Sequence, residues 1–445
     1  MTEFWCELAW LGGTAATPSV LLRVHDGRLA AIEAGVACPP GATRLAGLTL
    51  PGMANGHSHA FHRALRGRTQ VGTGSFWTWR DQMYRVAASL QPDTYFELAR
   101  AVYGEMALAG ITAVGEFHYL HHDRDGIPYA DPNAMSDALV AAAEQAGIRI
   151  TLLDTCYLHG GIGQQPNEVQ RRFSDGDGDA WAARVSAFQP AHAGARVGAA
   201  IHSVRAVDPR AMGVVRDWAV ARDAPLHAHV SEQSAENQQC IEAYGMTPTL
   251  LLHEQGVLGE RFTSVHATHL SGVDIGLYGS HGCTICMCPT TERDLADGIG
   301  PARSVRQAGA VLSLGSDSHA VIDLFEEARA VELDERLATS VRGNHDAESL
   351  LEAATVNGHR SLGWVDAGSL AVGNLADFVS VRLDSVRTAG TATATALESV
   401  VFAASATDVH HVVVDGRVVV SDGNHRTLDV ATELARTVAA VTEHA

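Results

Sequence analysis

The stretch that decides the fold is LTLPGMANGHSH, at residues 48–59, an apolar run that ends in a His-x-His pair. Residues two apart on a β-strand point to the same face, so His57 and His59 can direct both imidazoles toward one ion. The chain contains 23 histidines, and a single pair of this kind can therefore arise by chance. The significance of the pair depends on what the rest of the chain places beside it.

Apolar strand candidates recur along the middle of the chain, and Ala-rich stretches with helical periodicity lie between most of them. Residues 94–110 and 137–147 are two such stretches, and each ends at a glycine suited to a helix C-cap. The later strand candidates are ITAVGEF (111–117), IRITLLDT (148–155), RVGAAIHS (196–203), PLHAHVSE (225–232), FTSVHATH (262–269), CTICMCP (283–289) and AVLSLGSDS (310–318). Eight strands alternating with helices predict an α/β fold, a (β/α)8 TIM barrel over residues 51–364, with its chemistry at the carboxyl ends of the strands.

Both ends of the chain have the pattern of short strands joined by turns. Residues 19–35 contain two apolar runs around Asp26-Gly27, which is a hairpin signal. Near the other end, residues 376–383 and 410–423 are rich in β-branched residues, and Asp415-Gly416 interrupts the second run. We therefore predict a small β-sandwich domain, with a C-terminal helix, formed by residues 1–50 and 365–445.

Composition excludes several classes of chemistry. All 32 basic residues are arginines, because the sequence contains no lysine. Schiff-base chemistry, pyridoxal phosphate attachment and a P-loop each need a lysine, as does a metal pair bridged by a carboxylated lysine. The net charge of −19 argues against nucleic acid or an anionic membrane as a partner. An acidic small-molecule substrate would have to be bound by a local arginine cluster.

The sequence also bears on location. Its seven cysteines have no regular spacing, and the first ten residues, MTEFWCELAW, show no basic region followed by an apolar core. No apolar stretch approaches the ~20 residues of a membrane span. We expect a cytoplasmic protein with reduced thiols and no membrane partner, and we expect it to form a homodimer.

Further polar residues follow the strand candidates where a barrel enzyme places functional groups. His229 ends the fifth strand, His266 the sixth and Asp317 the eighth. Three imidazoles and a carboxylate suit Zn²⁺, although iron or another divalent ion is compatible with them. We predict one metal ion, with the ligands His57, His59, His229 and Asp317.

Two further residues are candidates for the chemistry at that ion. Glu232 lies three residues after His229, beside the predicted ion, and is the candidate proton shuttle between water and a leaving group. His266 can be a ligand or a hydrogen-bond partner of the reacting group, and the sequence alone leaves both open.

This set of motifs resembles the metal-dependent deaminases of the amidohydrolase superfamily over the whole chain. Six segments further resemble the branch that deiminates N-formimino-L-glutamate to N-formyl-L-glutamate and ammonia: GHSHAFHRALRG (56–67), GSFWTWRDQMY (74–84), GEFHYLHHD (115–123), IHSVRAV (201–207), HAHVSEQ (227–233) and CPTTERDLADGIG (288–300). The resemblance implies catalytic roles for Glu232, His266 and Asp317. It also implies a substrate site made of His62, Arg80, Tyr119, His202 and Arg205.

The implied substrate carries two carboxylates, which arginine recognises in a planar, bidentate manner. Arg80 and Arg205 are the two candidates, whereas outside this resemblance they would be a solvated helix residue and a salt-bridge partner. His62 departs from the branch pattern, where glutamine is expected, so the contact made there differs.

Two alternatives remain open at this point. A deaminase of the same fold could act on a purine, pyrimidine or adenosine-like ring, but such a ring would favour aromatic and amide contacts, and only 6% of the residues are aromatic. A metal-free scaffold would keep the barrel for assembly only, but such a protein should have lost ligands that this chain retains.

Overall fold

A computed structural model describes the backbone of residues 1–71 and 76–443, and their side chains except those of 76 and 77. Four strands precede the barrel, and four follow it. The first four are β1 (Thr2–Ala9), β2 (Thr17–His25), β3 (Arg28–Glu33) and β4 (Thr43–Pro51).

The centre of the molecule is a barrel of eight parallel strands, each hydrogen-bonded to the next in sequence order. These strands are β5 (Met53–Ser58), β6 (Ile111–His118), β7 (Arg149–Cys156), β8 (Ala195–Ile201), β9 (Leu226–Val230), β10 (Phe262–His266), β11 (Thr284–Met287) and β12 (Val311–Leu314). The last strand meets the first through a parallel bridge between Ser58 and Asp317, where the Asp317 amide donates to the His57 carbonyl at 3.0 Å. The predicted (β/α)8 barrel is confirmed, and its closure brings Asp317 against the His-x-His pair.

Helices lie between the barrel strands and beyond them. The helix predicted from residues 137–147 ends at Gly147, whose left-handed φ of 76° forms the C-cap. The helices are α1 (Phe76–Ser89), α2 (Pro92–Leu108), α3 (Ala134–Ala146), α4 (Gly178–Ala187), α5 (Pro209–Ala221), α6 (Ser234–Tyr244), α7 (Pro248–Glu254), α8 (Gly272–Ser280), α9 (Pro289–Asp294), α10 (Ala302–Ala308), α11 (Leu324–Thr339), α12 (Ala347–Glu352), α13 (Gly358–Ser361), α14 (Ala396–Ala403) and α15 (Val430–Thr442). Among the residues that the structure describes, none of these helices is long and apolar enough to span a bilayer.

The two chain ends pair with each other, as predicted, and the eight strands predicted as a β-sandwich are hydrogen-bonded in one mixed sheet. It continues with β13 (Phe378–Val381), β14 (Val409–Val414), β15 (Arg417–Ser421) and β16 (Asn424–His425), and β13 pairs with β4. The turns at Asp26-Gly27 and Asp415-Gly416 both have left-handed backbone and both hydrogen-bond to Ala376. The sheet thus encloses a small apolar core of its own, in which Phe4 packs edge-on against Phe378. The division of the chain into domains at residues 50 and 365 stays a prediction.

A buried ion pair joins this sheet to the amino-terminal end of the barrel. Arg149, the first residue of β7, donates to both carboxylate oxygens of Asp377 at 2.6 and 3.0 Å, and the Asp377 carboxylate is fully buried. Removing one partner of such a pair leaves the other charge buried without compensation. The amino-terminal face of a barrel is where residues serve stability.

We expect Arg149→Ala to lower the free energy of unfolding by about 3–5 kcal/mol, because it leaves the Asp377 carboxylate buried without its cationic partner. Denaturant or thermal unfolding measures this. Arg261→Ala, which removes the partner of the exposed Asp223, is the matched control and should cost less than about 1 kcal/mol. Equal effects of the two substitutions on the free energy of unfolding would contradict the stabilising role of the Arg149–Asp377 ion pair.

Candidate metal centre and active site

The carboxyl ends of four barrel strands bring four imidazoles and one carboxylate together. His57 Nε2 lies 3.0 Å from His229 Nε2 and 3.2 Å from Asp317 Oδ1. His59 Nε2 lies 3.4 Å from the same carboxylate oxygen. His266 Nε2 lies 3.8 Å from Asp317 Oδ2, and all five side chains are buried. The residues predicted as ligands therefore surround one small volume.

Backbone carbonyls fix the orientation of two of these rings. His59 Nδ1 lies 2.9 Å from the Phe117 carbonyl, and His229 Nδ1 lies 2.9 Å from the His202 carbonyl. A carbonyl can only accept, so each Nδ1 carries the proton and each Nε2 lone pair faces the cluster. This is the arrangement that holds metal-ligating histidines in place.

The charge state of the cluster fits a cation. Burial lowers the pKa of His57, and lowers that of His59 and His229 well below the ordinary value, so these rings are neutral. Burial opposes ionisation of Asp317, but the hydrogen bond with His57 and the neighbouring imidazoles hold its pKa below the ordinary range. Neutral imidazole nitrogens beside a carboxylate are the donors that a divalent metal ion takes in proteins.

His266 lies between the other members of the cluster and two glutamates. Its Nδ1 lies 3.4 Å from Glu292 Oε1, and its Nε2 lies 3.9 Å from Glu232 Oε1. The Nε2 atom is buried and has no hydrogen-bond partner among the described residues. By distance, His266 groups with His57, His229 and Asp317, whereas His59 groups with His62 and Asp317. His266 thus faces the space where an ion and a reacting group would meet.

The backbone at the site is strained. His266 and Asp317 have φ of 69° and 43°, in the left-handed region that is uncommon for residues other than glycine, although Asp and His adopt it more often than most. Such conformations cost on the order of 1–3 kcal/mol each and persist where surrounding structure holds them. Here they turn both side chains into the barrel mouth at the point where the strands end.

A cavity of about 290 Å³ opens above the cluster. Its wall includes the proton-shuttle candidate and every residue predicted to contact substrate: His62, Arg80, Tyr119, His202, Arg205 and Glu232. His62, which stands where the branch pattern has glutamine, contacts another residue predicted to bind substrate, since its Nε2 lies 3.1 Å from the Tyr119 hydroxyl. Residues 72–75, which include the start of the 74–84 segment, lie outside the described residues.

Sequence reasoning missed two carboxylates that complete this site. Glu236, on α6, is fully buried, and its Oε2 lies 3.5 Å from Arg205 Nε, while Glu232 Oε2 lies 3.9 Å from Arg205 Nη2. Glu292, on α9, bonds the Cys288 amide at 2.9 Å besides contacting His266. Neither glutamate ends a strand, so the strand pattern gave no signal for them. Glu236 lies in the first turn of α6, and its place four residues after Glu232 in the sequence is the signal that could have found it.

Fold and site together define a barrel hydrolase with a metal-binding centre, and the sequence comparisons agree: the chain belongs to the amidohydrolase family, whose sequence model matches residues 48–419. It is 40% identical to the formimidoylglutamate deiminase of Pseudomonas aeruginosa, over 90% of each chain. It is 29% identical to a 5-methylthioadenosine/S-adenosylhomocysteine deaminase of Natronomonas pharaonis, over 94% of this chain and 93% of that one. The crystal structure of an amidohydrolase from Brucella melitensis superposes with a TM-score of 0.90 at 33% identity, over 99% of this chain and 100% of the other.

Proposed function

We propose that this protein hydrolyses N-formimino-L-glutamate to N-formyl-L-glutamate and ammonia, as a cytoplasmic enzyme. The observation that carries the proposal is one cavity with a metal-type donor cluster at its floor and two arginines in its wall. The 40% identity to a formimidoylglutamate deiminase, over nine tenths of both chains, supports the same substrate. That the protein forms a homodimer stays a prediction.

Recognition of the substrate rests on Arg80 and Arg205. Two carboxylates on one small molecule need two cationic partners inside a protein whose net charge is −19. Glu236 Oε2 lies 3.5 Å from Arg205 Nε and Glu232 Oε2 lies 3.9 Å from Arg205 Nη2, and Arg205 itself lines the cavity, where a substrate carboxylate can meet its guanidinium. His62, Tyr119 and His202 add polar atoms between the arginines and the cluster.

The metal we propose is a single Zn²⁺ held by His57, His59, His229 and Asp317. When bound, such an ion polarises the reacting group and lowers the pKa of water toward neutrality. In the overall reaction water adds to the formimino carbon, the terminal nitrogen takes up a proton, and the bond from carbon to that nitrogen breaks. Asp317 accepts a proton from the attacking water, and Glu232 delivers one to the nitrogen that leaves as ammonia.

His266 and Glu292 act on the same reacting centre. Carboxylates flank both ring nitrogens of His266, Glu292 on one side and Glu232 on the other, which favours a ring that donates from each nitrogen. We infer that His266 donates a hydrogen bond to the group that gains charge, with Glu292 orienting the ring.

One specific observation favours a second candidate function, the deamination of a purine, pyrimidine or adenosine-like ring. Although aromatic residues are 6% of the chain, five whose side chains the structure describes line the cavity: Trp79, Tyr84, Tyr119, Tyr157 and Phe173. An ammonia-release screen of formiminoglutamate beside guanine, cytosine and adenosine separates the two candidates. Turnover of a ring substrate without turnover of formiminoglutamate would overturn the proposal.

Substitution of Arg205 tests carboxylate recognition. We expect Arg205→Ala to lower kcat/KM for formiminoglutamate by about 10²-fold, mainly through KM, since a charged hydrogen bond to substrate is lost. Arg205→Lys, which keeps the charge but loses the planar fork, should recover only part of the loss. Steady-state ammonia release measures both, and an unchanged kcat/KM in the alanine variant would refute the role of Arg205.

A further inference from the structure

A short 3-10 turn, Gln170–Phe173, lies behind the cavity wall and contains two buried polar side chains. Gln170 is 3% exposed, and its amide nitrogen donates to the Tyr84 hydroxyl at 2.9 Å and to the Tyr157 hydroxyl at 2.7 Å. Its amide oxygen accepts from the Asn167 backbone at 2.9 Å. Both amide hydrogens are therefore used, and the side chain is fixed between two tyrosines that line the cavity.

Two residues further along the same turn, Arg172 forms hydrogen bonds with the carboxyl-terminal end of α1. Arg172 is 2% exposed and donates to the Ala87 carbonyl at 2.5 Å and to the Leu90 carbonyl at 2.7 Å. These carbonyls belong to the last turn of α1 and the residue after it, where a helix leaves acceptors unsatisfied. Arg172 also donates to the His122 carbonyl at 3.0 Å, which links the helix end to the loop after β6.

Helix α1 carries Arg80, one of the two arginines of the cavity wall. Arg80 lies four residues before Tyr84, on the same helix face, and its guanidinium carbon is 5.6 Å from the centre of the Tyr84 ring. Tyr84 is the residue that Gln170 bonds. The placement of the Arg80 guanidinium is therefore connected, through one tyrosine, to an amide fixed on the barrel side of the cavity.

We propose that the Gln170–Phe173 turn positions α1, and that Gln170 is a positioning residue for recognition of the substrate carboxylate by Arg80. Gln170 fixes the middle of the helix through Tyr84, and Arg172 fixes its end. Gln170 touches neither the substrate nor the metal cluster in this assignment. This proposal depends on the proposed function in one way: it takes formiminoglutamate as the substrate.

Gln170→Leu tests the positioning role, because leucine fills similar space and forms none of the three hydrogen bonds of the glutamine amide. We expect KM for formiminoglutamate to rise about tenfold while kcat changes less than about threefold, the pattern of lost binding common to ground and transition states. Turnover of N-formiminoglycine, which has one carboxylate fewer, should change less. Gln307→Leu, at an exposed glutamine on α10, is the matched control and should leave both constants unchanged.

A second variant guards against a folding failure. Tyr84→Phe removes one hydroxyl and keeps the ring, and Gln170→Leu should have a smaller effect in that background than in the wild type, since the two residues share one bond. Additive effects of the two substitutions on KM would overturn the proposal.

Hydrogen exchange gives a readout that does not depend on turnover. Gln170→Leu should speed amide exchange in residues 78–89 while the protection of the barrel strands stays unchanged. If the wild-type enzyme does not release ammonia from formiminoglutamate, the proposed function fails, and exchange still tests the positioning of α1. Unchanged exchange and unchanged KM in an enzyme that turns the substrate over would overturn the positioning role itself.

Discussion

Replacement of Glu232 by glutamine should leave the metal content of the protein intact and lower kcat by about 10²–10⁴-fold. Glu232 is not one of the clustered donors, so its loss removes no ligand. It is buried, and its Oε1 lies 3.9 Å from His266 Nε2, above the cluster. Burial raises the pKa of this carboxyl, which suits a group that must take up and release a proton. Glutamine keeps the shape and the hydrogen-bonding capacity but cannot carry the proton.

Glu236→Gln is the matched control for this experiment. Glu236 is a buried glutamate in the first turn of α6, four residues after Glu232, and it also contacts Arg205, whereas the contact with His266 at 3.9 Å belongs to Glu232. Glu236→Gln should change mainly KM, because Glu236 contacts Arg205, which we propose binds a substrate carboxylate. Metal analysis and single-turnover ammonia release measure the two variants. Wild-type kcat in Glu232→Gln, or equal loss of kcat in both variants, would remove the proton-shuttle role.

The fold was predictable because its signal is repeated. Each strand candidate includes an apolar run of the length that a buried parallel strand needs, and each of the eight overlaps one barrel strand. The first candidate also includes residues 48–51, which form the end of β4 in the other sheet. The predicted ligands were recognisable for the same reason. A residue at the carboxyl end of one strand meets residues at the carboxyl ends of the others, so His229 and Asp317 could be placed beside His57 from order alone.

Other features of the site carry no periodic signal. Glu292 and Glu236 reach the site from helices, and their direction depends on how each helix packs on the barrel. The left-handed φ at His266 and Asp317 is a minority conformation even for His and Asp, and the local sequence does not signal it. Gln170 lies in a loop between strands, and only the folded chain brings it to Tyr84, 86 positions earlier. Composition misled in one respect, because a chain with few aromatic residues places five of the described aromatic side chains in the wall of its cavity.

Removal of the metal should abolish ammonia release and lower the melting temperature, and one equivalent of Zn²⁺ should restore both. Activity depends on the ion because the imidazoles and Asp317 alone supply no activated water. Stability depends on it because a ligand that binds only the folded state stabilises it, by about 4 kcal/mol when its concentration is 1,000 times Kd. Restoration only by two equivalents would contradict the single-ion site.

The role of His266 can be separated from that of the ligands by substituting each histidine with asparagine. His229→Asn should lose the ion, because it removes a nitrogen held in place by the His202 carbonyl. His266→Asn should keep one equivalent, with affinity weakened by no more than about 10–100-fold, as for a residue that supports the ligands. Its kcat should fall by about 10²–10³-fold, since the donor to the developing charge is lost. Metal analysis after dialysis, beside ammonia release, measures both variants. Loss of the ion from His266→Asn would make His266 a ligand, and the hydrogen-bond donor in the reaction would then have to be sought elsewhere in the cavity wall.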